Sequence, residues 1–180
     1  MYVPNKEVIR VLDKFFKSNN INYALIGGLA ITSYRNIRNT NDLDFVVSVS
    51  PYEVDKLYDL ILKQLNIEYC ELHHSIITIN IKFISVDIIP AETIFEEKLL
   101  KDAKYRNIFA TKCRVGKLED LLLLKLSISG MEERHLRDVE GICKKCKDII
   151  DYKYLKKSII ILHMEDKIPY LNSLLENKIK

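Results

Sequence analysis

The pattern of hydrophobic and polar positions switches between helical and strand-like periods along the chain. Apolar residues first recur every three or four positions, which predicts a helix capped by Asn5. Short runs of apolar and β-branched residues then predict strands at 23–26 and 44–47, with a short helix at 29–35 between them. Pro51 suits the first turn of a further helix, whose apolar residues form a core-facing stripe.

The same pattern separates the middle of the chain from its C-terminal third. Further strands are predicted at 67–70, 75–81 and 82–89, and residues 105–115 are ambiguous but can hold a short strand. The later helices are predicted at 92–101, at 118–129 with an end at Gly130, and at 134–147, 154–164 and 169–178. This order predicts an α/β (α+β) fold, a small mixed β-sheet flanked by helices with a C-terminal helical extension. We expect a core at 1–115 and a helical region at 116–180 packed on it.

Composition narrows the class of protein. No apolar run approaches the roughly 20 residues that a membrane span needs, and the N-terminus lacks a basic flank followed by an apolar stretch, so we expect a cytoplasmic protein. Four cysteines in a chain of 180 residues do not form a disulfide framework, and we interpret them as reduced thiols. The net charge of +3 permits an anionic partner without requiring one.

Two aspartates one residue apart carry the strongest chemical signal. Asp42 and Asp44 lie at the start of the predicted strand 44–47, after an apolar run that ends in Gly27-Gly28. Because strand positions two apart project to the same face, the two carboxylates converge. Converging carboxylates need a cation, and hard divalent ions bind through one or two carboxylates plus substrate phosphates. The pair therefore predicts a site for Mg²⁺ or Mn²⁺.

A third carboxylate belongs to an otherwise apolar predicted strand. Burying the ionised carboxylate of Asp87 in such a strand costs free energy unless it is paired or holds a metal. If this strand lies beside that of Asp42 and Asp44, three carboxylates meet on one sheet face, which suits two-metal phosphoryl transfer. One ion would bridge a triphosphate, the other would lower the pKa of an attacking hydroxyl, and Asp87 would hold that ion or take the proton. The alternative is structural: Asp42 caps a turn and Asp87 ends a strand.

Other candidate chemistry is weaker. Cys143-x-x-Cys146 lies in a predicted helix without the second pair or the histidine that a zinc site needs. His73 and His74 are adjacent beside a strand, where neighbours point to opposite faces, so they cannot easily share a metal. The chain has no Gly-x-x-x-x-Gly-Lys phosphate loop, which argues against an ordinary NTPase.

The order and spacing of several motifs resemble those of a known superfamily. The motif residues are Gly27-Gly28, Arg38-x-Thr40-x-Asp42-x-Asp44 and the isolated Asp87. In this combination the chain resembles the nucleotidyltransferase superfamily that includes polymerase beta. It is most similar to small stand-alone prokaryotic nucleotidyltransferases of the minimal type, some of which serve in toxin–antitoxin systems. Segments 118–126 and 134–140 resemble the helical pattern downstream of that core, so the resemblance spans about residues 23–142.

The resemblance implies a nucleotidyltransferase fold and a role for each motif residue. Gly27 and Gly28 would form the turn whose backbone amides approach the triphosphate. Asp42, Asp44 and Asp87 would hold two Mg²⁺ or Mn²⁺ ions, with Asp87 as third ligand or as base for the acceptor hydroxyl. These three aspartates are the expected catalytic residues.

Basic and polar residues complete the expected nucleotide site. Thr40 and Arg38 fit the motif, and Arg38 either neutralises phosphate charge or pairs with a surface carboxylate. Arg35 is a weaker candidate for phosphate contact. Lys125 lies on an apolar helix face, where it either reaches the triphosphate or the carboxylates, or extends its ammonium to water. Two further residues are expected to pin helices together rather than to touch substrate: Arg137 and Asp138.

The expected reaction is transfer of a nucleoside monophosphate from a nucleoside triphosphate to an acceptor hydroxyl, with release of pyrophosphate. The acceptor is open among RNA, protein and a small molecule. Lysines of the helical half, which include Lys144, Lys145, Lys147, Lys153, Lys156 and Lys157, either follow a transfer RNA backbone or form a solvated helix face. The alternative is a catalytically inactive module of the same fold that contacts nucleic acid or a protein. The resemblance also implies a partner protein of the toxin–antitoxin kind as a candidate.

Overall fold

The computed structural model describes residues 4–37, 40, 42–127, 133–176 and 178–179. The helices found there are α1 (Pro4–Ser18), α2 (Gly27–Thr32), α3 (Val54–Gln64), α4 (Ile94–Asp102), α5 (Leu118–Ser127), α6 (Glu133–Lys145), α7 (Tyr152–Ile161) and α8 (Ile168–Leu174). The strands are β1 (Tyr23–Ile26), β2 (Leu43–Val47), β3 (Tyr69–His73), β4 (Ile76–Ile81), β5 (Ile84–Pro90), β6 (Lys104–Ile108) and β7 (Thr111–Val115). Single-turn 3-10 helices at Pro51–Glu53 and Glu165–Lys167 precede α3 and α8.

The seven strands form one mixed sheet in the order β3-β4-β5-β2-β1-β7-β6. β2 runs parallel to β5 and β1 runs parallel to β7, whereas the other neighbouring strands are antiparallel. Within the described residues, every element after β7 is helical. The predicted fold class, a mixed sheet flanked by helices and followed by a helical extension, is confirmed.

The two faces of the sheet are covered by different helices. On one face, the Phe16 ring of α1 packs against Tyr23 of β1 and Phe45 of β2, with ring centroids 4.9 and 5.7 Å apart. Burying each such ring contributes about 1.5–3 kcal/mol. On the other face, a smaller apolar cluster joins β1 and β2 to α4 through Ala24, Val46, Leu99, Leu100 and Ala103. Because Asp44 lies two residues before Val46, its side chain projects from this α4 face.

Most predicted elements are present, with ends shifted by a few residues. The predicted capping role of Asn5 is wrong, because α1 begins at Pro4 and Asn5 lies buried in its first turn. Proline suits that turn, since the first amides of a helix have no intrahelical acceptor. The ambiguous residues 105–115 form most of a hairpin, β6 and β7. The predicted end of α5 at Gly130 lies outside the described residues.

Burial decides the chemistry of the Cys143-x-x-Cys146 pair. Both thiols are buried and free. Burial raises the pKa of Cys143 to about 12 and raises that of Cys146. Both side chains belong to the hydrophobic core, and among the described residues no group of three or more potential metal ligands includes them, so the pair serves packing. No helix in the described part of the chain has the length and apolar character that crossing a membrane requires.

Candidate active site

Two of the predicted site aspartates lie side by side on neighbouring strands. Asp44 of β2 pairs with Asp87 of β5 in the parallel register, and Ile26 of β1 pairs with Asp44 on its other side. Since neighbouring strands lie about 4.8 Å apart, paired residues project to the same face as close neighbours. The prediction that the strand of Asp87 lies beside that of Asp44 is confirmed.

Position 27 requires a glycine because the side chain of Asp44 lies against it. Gly27 has a φ of +68°, a left-handed conformation that side chains with a Cβ rarely adopt. A Cβ built at this position would lie 1.8 Å from Oδ2 of Asp44. The glycine therefore leaves room for a carboxylate of the site as well as for a turn. The neighbouring Gly28 is buried within α2.

The Asp87 carboxylate is held by a residue that sequence reasoning missed. Thr78 of β4 pairs with Asp87 across the antiparallel ladder, and its Oγ1 donates a hydrogen bond of 2.7 Å to Oδ1 of Asp87. This contact leaves Oδ2 for other ligands and restricts rotation of the carboxylate. The available signal was the alternation of β4, which places Thr78 on a polar face between the buried Ile77 and Ile79.

The carboxylates open into a cleft of about 710 Å³ between the sheet and helices α4, α5 and α6. Six of the predicted site residues line it: Gly27, Thr40, Asp42, Asp44, Asp87 and Lys125. Asp42 is exposed, whereas Asp44 and Asp87 are half-buried. A second cavity of about 700 Å³ lies where β2 and β5 end, between Ser48 and Ala91, and contains none of the three aspartates. The first cleft is therefore the candidate site.

The helical wall of the cleft, which α5 and α6 supply, is basic, whereas α4 contributes Glu96 to the lining. Lys125 of α5 and the consecutive Arg134 and His135 of α6 line it. The Nζ of Lys125 lies 3.2 Å from Oδ2 of Asp138 and 3.4 Å from Nδ1 of His135, and its side chain is 12% exposed. Lys125 therefore does not extend to open water. Asp138 is buried and links α6 to α5, which agrees with the expectation that it pins helices together.

Several basic residues from the sequence motifs lie elsewhere. Arg35 forms an exposed ion pair of 2.7 Å with Asp148, so its phosphate role finds no support. Arg137 pairs with Glu133 of its own helix rather than between helices. Arg38 lies outside the described residues, and its role stays a prediction. Arg134 was not singled out as a substrate contact, although it is the first residue of the helix predicted at 134–147.

The metal site implied by the resemblance fits these residues in part. Among the described residues, no group of three or more histidine, cysteine, aspartate or glutamate side chains is arranged to hold an ion by itself. Asp44 and Asp87 are adjacent, and Asp42 lies at the cleft two residues before Asp44. Gly27, which lines the cleft together with Asp44, leaves the space that Oδ2 of Asp44 occupies. Two carboxylates completed by substrate phosphates match the way Mg²⁺ is usually bound.

The residues of the lysine cluster in the helical half are not among those that line the cleft. Lys144 lies ten residues after Arg134 on α6, which corresponds to about 15 Å along the helix axis. Lys145 donates to the carbonyl oxygen of Asn36, at 2.7 Å. Lys147 forms an ion pair of 2.8 Å with Glu176 and is thereby partly neutralised. The cluster is therefore not part of the cleft.

A family model and several solved structures match this chain. The family model, described as nucleotidyl transferase of unknown function (DUF2204), matches residues 5–176. No match exists among curated protein sequences.

The similar structures support the nucleotidyltransferase fold. An antigenic nucleotidyltransferase-like protein from Paracoccidioides brasiliensis is 21% identical, with 98% of this chain and 94% of that chain covered and a TM-score of 0.58. The lincosamide antibiotic adenylyltransferase LnuA, bound to lincomycin, is 18% identical over 79% of this chain and 98% of its own, with a TM-score of 0.54. A nucleotidyltransferase from H. pylori, itself of uncertain function, is 14% identical over 96% and 80%, with a TM-score of 0.51.

Proposed function

Since this chain belongs to the DUF2204 family of nucleotidyl transferases, we propose that it transfers a nucleoside monophosphate from a nucleoside triphosphate to an acceptor hydroxyl and releases pyrophosphate. The observation that carries the proposal is the pairing of Asp44 with Asp87 across a cleft from Lys125 and Arg134. In a nucleoside triphosphate with its metal ions, the phosphates attract the cationic side chains of a protein, and the metal ions attract its carboxylates. A cleft with one wall of each sign matches both needs.

The sheet wall prepares the nucleophile. Asp42 and Asp44 would hold the donor-side ion, and Asp87 would hold the acceptor-side ion or take the proton of the attacking hydroxyl. Two Mg²⁺ or Mn²⁺ ions, when bound, would neutralise phosphate charge and lower the pKa of the hydroxyl. Thr78 fixes the orientation of Asp87 through its 2.7 Å hydrogen bond, so the carboxylate need not reorganise during proton transfer.

The helical wall stabilises the charge that develops on the phosphates. Lys125 and Arg134 would contact the triphosphate, with Gly27, Gly28 and Thr40 placing backbone and hydroxyl donors from the opposite side. Pairing with Asp138 keeps the ammonium of Lys125 in one place. Arg38, which belongs to the same motif as Thr40, is proposed as a further phosphate ligand. The acceptor oxygen attacks the α-phosphorus, the bond to the β-phosphate bridging oxygen breaks, and pyrophosphate carries away the electron pair.

The acceptor, the location and the partner are also proposed. The similar LnuA structure holds a small antibiotic, which favours a small hydroxylated acceptor, whereas transfer RNA and protein are the other classes to be tested. We place the reaction in the cytoplasm. A toxin–antitoxin partner protein remains part of the proposal on the resemblance to minimal nucleotidyltransferases.

The proposed reaction is tested by incubating the protein with Mg²⁺ or Mn²⁺ and each α-labelled nucleoside triphosphate. The acceptors are total RNA, a protein extract, an amino-sugar or lincosamide antibiotic, and the protein alone. Asp44→Asn, which removes one charge at constant shape, is expected to reduce labelling below detection. Asp55→Asn, at an exposed position of α3, is the matched control and should label normally. Absence of labelling together with absence of metal-dependent nucleotide binding would leave a binding module instead of an enzyme.

A further inference from the structure

Five successive residues after α2, the 33–37 segment, are each held by another part of the molecule. The guanidinium of Arg106 donates to the carbonyl oxygen of Ser33 at 3.4 Å and lies 3.8 Å above the ring of Tyr34. The hydroxyl of Tyr34 donates to the carbonyl oxygen of Gly116 at 2.9 Å. Burial raises the pKa of Tyr34 to about 12, so this donor keeps its proton at any physiological pH.

The next two residues are held from the C-terminal half of the chain. Arg35 pairs with Asp148 at 2.7 Å, and the Nζ of Lys145 donates to the carbonyl oxygen of Asn36 at 2.7 Å. Both pairs are exposed and individually weak. Together they hold the segment against the C-terminal end of α6.

Ile37 completes this arrangement by lying on Gly141. A Cβ built at Gly141 would be 2.4 Å from Cγ2 of Ile37, far closer than carbon atoms approach. Gly141 is an interior residue of α6, where glycine weakens a helix relative to alanine. A residue that is locally unfavourable and makes room for one particular side chain indicates that the contact itself matters.

The contact lies close to the site along the chain. Only four residues lie between Ile37 and Asp42, and one of them, Thr40, lines the cleft. The chain from one Cα atom to the other can span at most about 18 Å, since each residue spans at most about 3.6 Å. The place where Ile37 lies on α6 therefore limits how the chain can enter the start of β2.

We propose that Gly141 is a positioning residue for the metal-binding end of β2: it lets Ile37 lie on α6 and so fixes the path that delivers Thr40, Asp42 and Asp44 to the cleft. This inference rests on the proposed function. The C-terminal helices would then contribute to the site at two places, through the basic wall and through the contact between Gly141 and Ile37. Among the described residues of α6, only Arg134 and His135 line the cleft, so Gly141 acts through geometry alone.

The experiment adds a methyl group at Gly141 and then removes the methyl that it strikes. Gly141→Ala is expected to lower the affinity for Mn²⁺ with ATP, measured by electron paramagnetic resonance of free Mn²⁺, on the order of tenfold, as misplacement of about 1 Å can do. The melting temperature should change little, because the preference of the helix for alanine offsets part of the cost of displacing Ile37. Ile37→Leu keeps the number of carbons but lacks the β-methyl, so the double variant Gly141→Ala/Ile37→Leu should recover the affinity.

Controls separate this role from a structural one. Glu140→Ala, at the exposed neighbour on α6, should change neither the affinity nor the hydrogen exchange of the 33–37 segment. Equal affinity in Gly141→Ala and wild type, or a loss that Ile37→Leu does not restore, would overturn the positioning role. A wild-type protein that binds no Mn²⁺ with ATP would overturn the proposed function and this inference together, which is a distinct result.

Discussion

The two walls of the cleft hold their charges by different means. On the sheet wall, backbone register brings Asp44 beside Asp87, and one hydroxyl from β4 orients the second carboxylate. On the helical wall, no backbone hydrogen bond joins α5 to α6 among the described residues, and an ion pair between Lys125 and Asp138 performs the same task. A sheet therefore places like charges together through the rigidity of its ladder, whereas a helix pair needs an opposite charge to place a cation.

The largest expected effect breaks the sheet wall without changing a charge. Gly27→Ala introduces a Cβ 1.8 Å from Oδ2 of Asp44 at a φ of +68°. The backbone conformation alone costs about 1–2 kcal/mol, and the displaced carboxylate should lower nucleotidyl transfer on the order of 100-fold. Denaturation by urea and the labelling assay measure the two effects. In an Asp44→Ala background the steric part should vanish, and an unchanged stability cost there would show that only φ matters.

The helical wall is tested by removing its cation. Lys125→Met leaves the buried Asp138 without this partner, which should cost about 3 kcal/mol in the free energy of unfolding. Transfer should fall at the same time, because a cation facing the phosphates is lost. The double variant Lys125→Met/Asp138→Leu should recover stability but not transfer. Recovery of both would mean that Lys125 serves only to join the helices.

A smaller effect is expected when the sheet wall loses one hydrogen bond. Thr78→Val keeps the shape of the side chain but removes the donor to Oδ1 of Asp87. The expected cost is about 1 kcal/mol of stability and a fall in kcat on the order of tenfold, with nucleotide affinity unchanged. Thr78→Ser retains the hydroxyl and should behave like wild type. A fall in affinity with normal kcat would place Thr78 in binding rather than in orientation.

The smallest effect concerns a buried carboxylate that belongs to neither wall. Burial raises the pKa of Asp120, although the Tyr154 hydroxyl donates to its Oδ1 at 2.7 Å. For an acid whose folded pKa is raised, the unfolded chain ionises first, so stability decreases as the pH rises above about 4 toward the folded pKa. Asp120→Asn should therefore melt a few degrees above wild type at pH 7, and by less at pH 4. Nucleotidyl transfer should be unaffected. A wild-type protein that is more stable than Asp120→Asn at pH 7 would contradict the assignment.

The contrast between the walls also decides what could be predicted from sequence. Strand β1 was predicted at its observed bounds, whereas the adjacency of Asp44 and Asp87 was implied by the resemblance, because periodicity gives only the face to which each side chain projects. The basic wall was not visible as a unit, because Lys125 and Asp138 meet only through the packing of α5 on α6. Periodicity gives the face of an element, whereas a contact between elements depends on their crossing geometry.

Turn chemistry explains why the hairpins were harder to delimit than the helices. The turn between β6 and β7 uses Phe109 and Ala110, both at positive φ. The turn between β4 and β5 uses Lys82 and Phe83 in the same way. Tight hairpin turns of this kind usually signal themselves through Asn-Gly or Gly, and neither occurs here. Residues 105–115 were therefore ambiguous although both strands are regular.

Because of the contact between Gly27 and Asp44, the residue at position 44 determines which residues are tolerated at position 27. While Asp44 carries its carboxylate, the space at position 27 is filled and a side chain is excluded. If a related chain has lost that carboxylate, only the demand for positive φ remains, and asparagine satisfies it nearly as well. In a related sequence, an asparagine at position 27 together with a shortened residue at position 44 would thus indicate that the protein has lost its catalytic activity, before any assay is made.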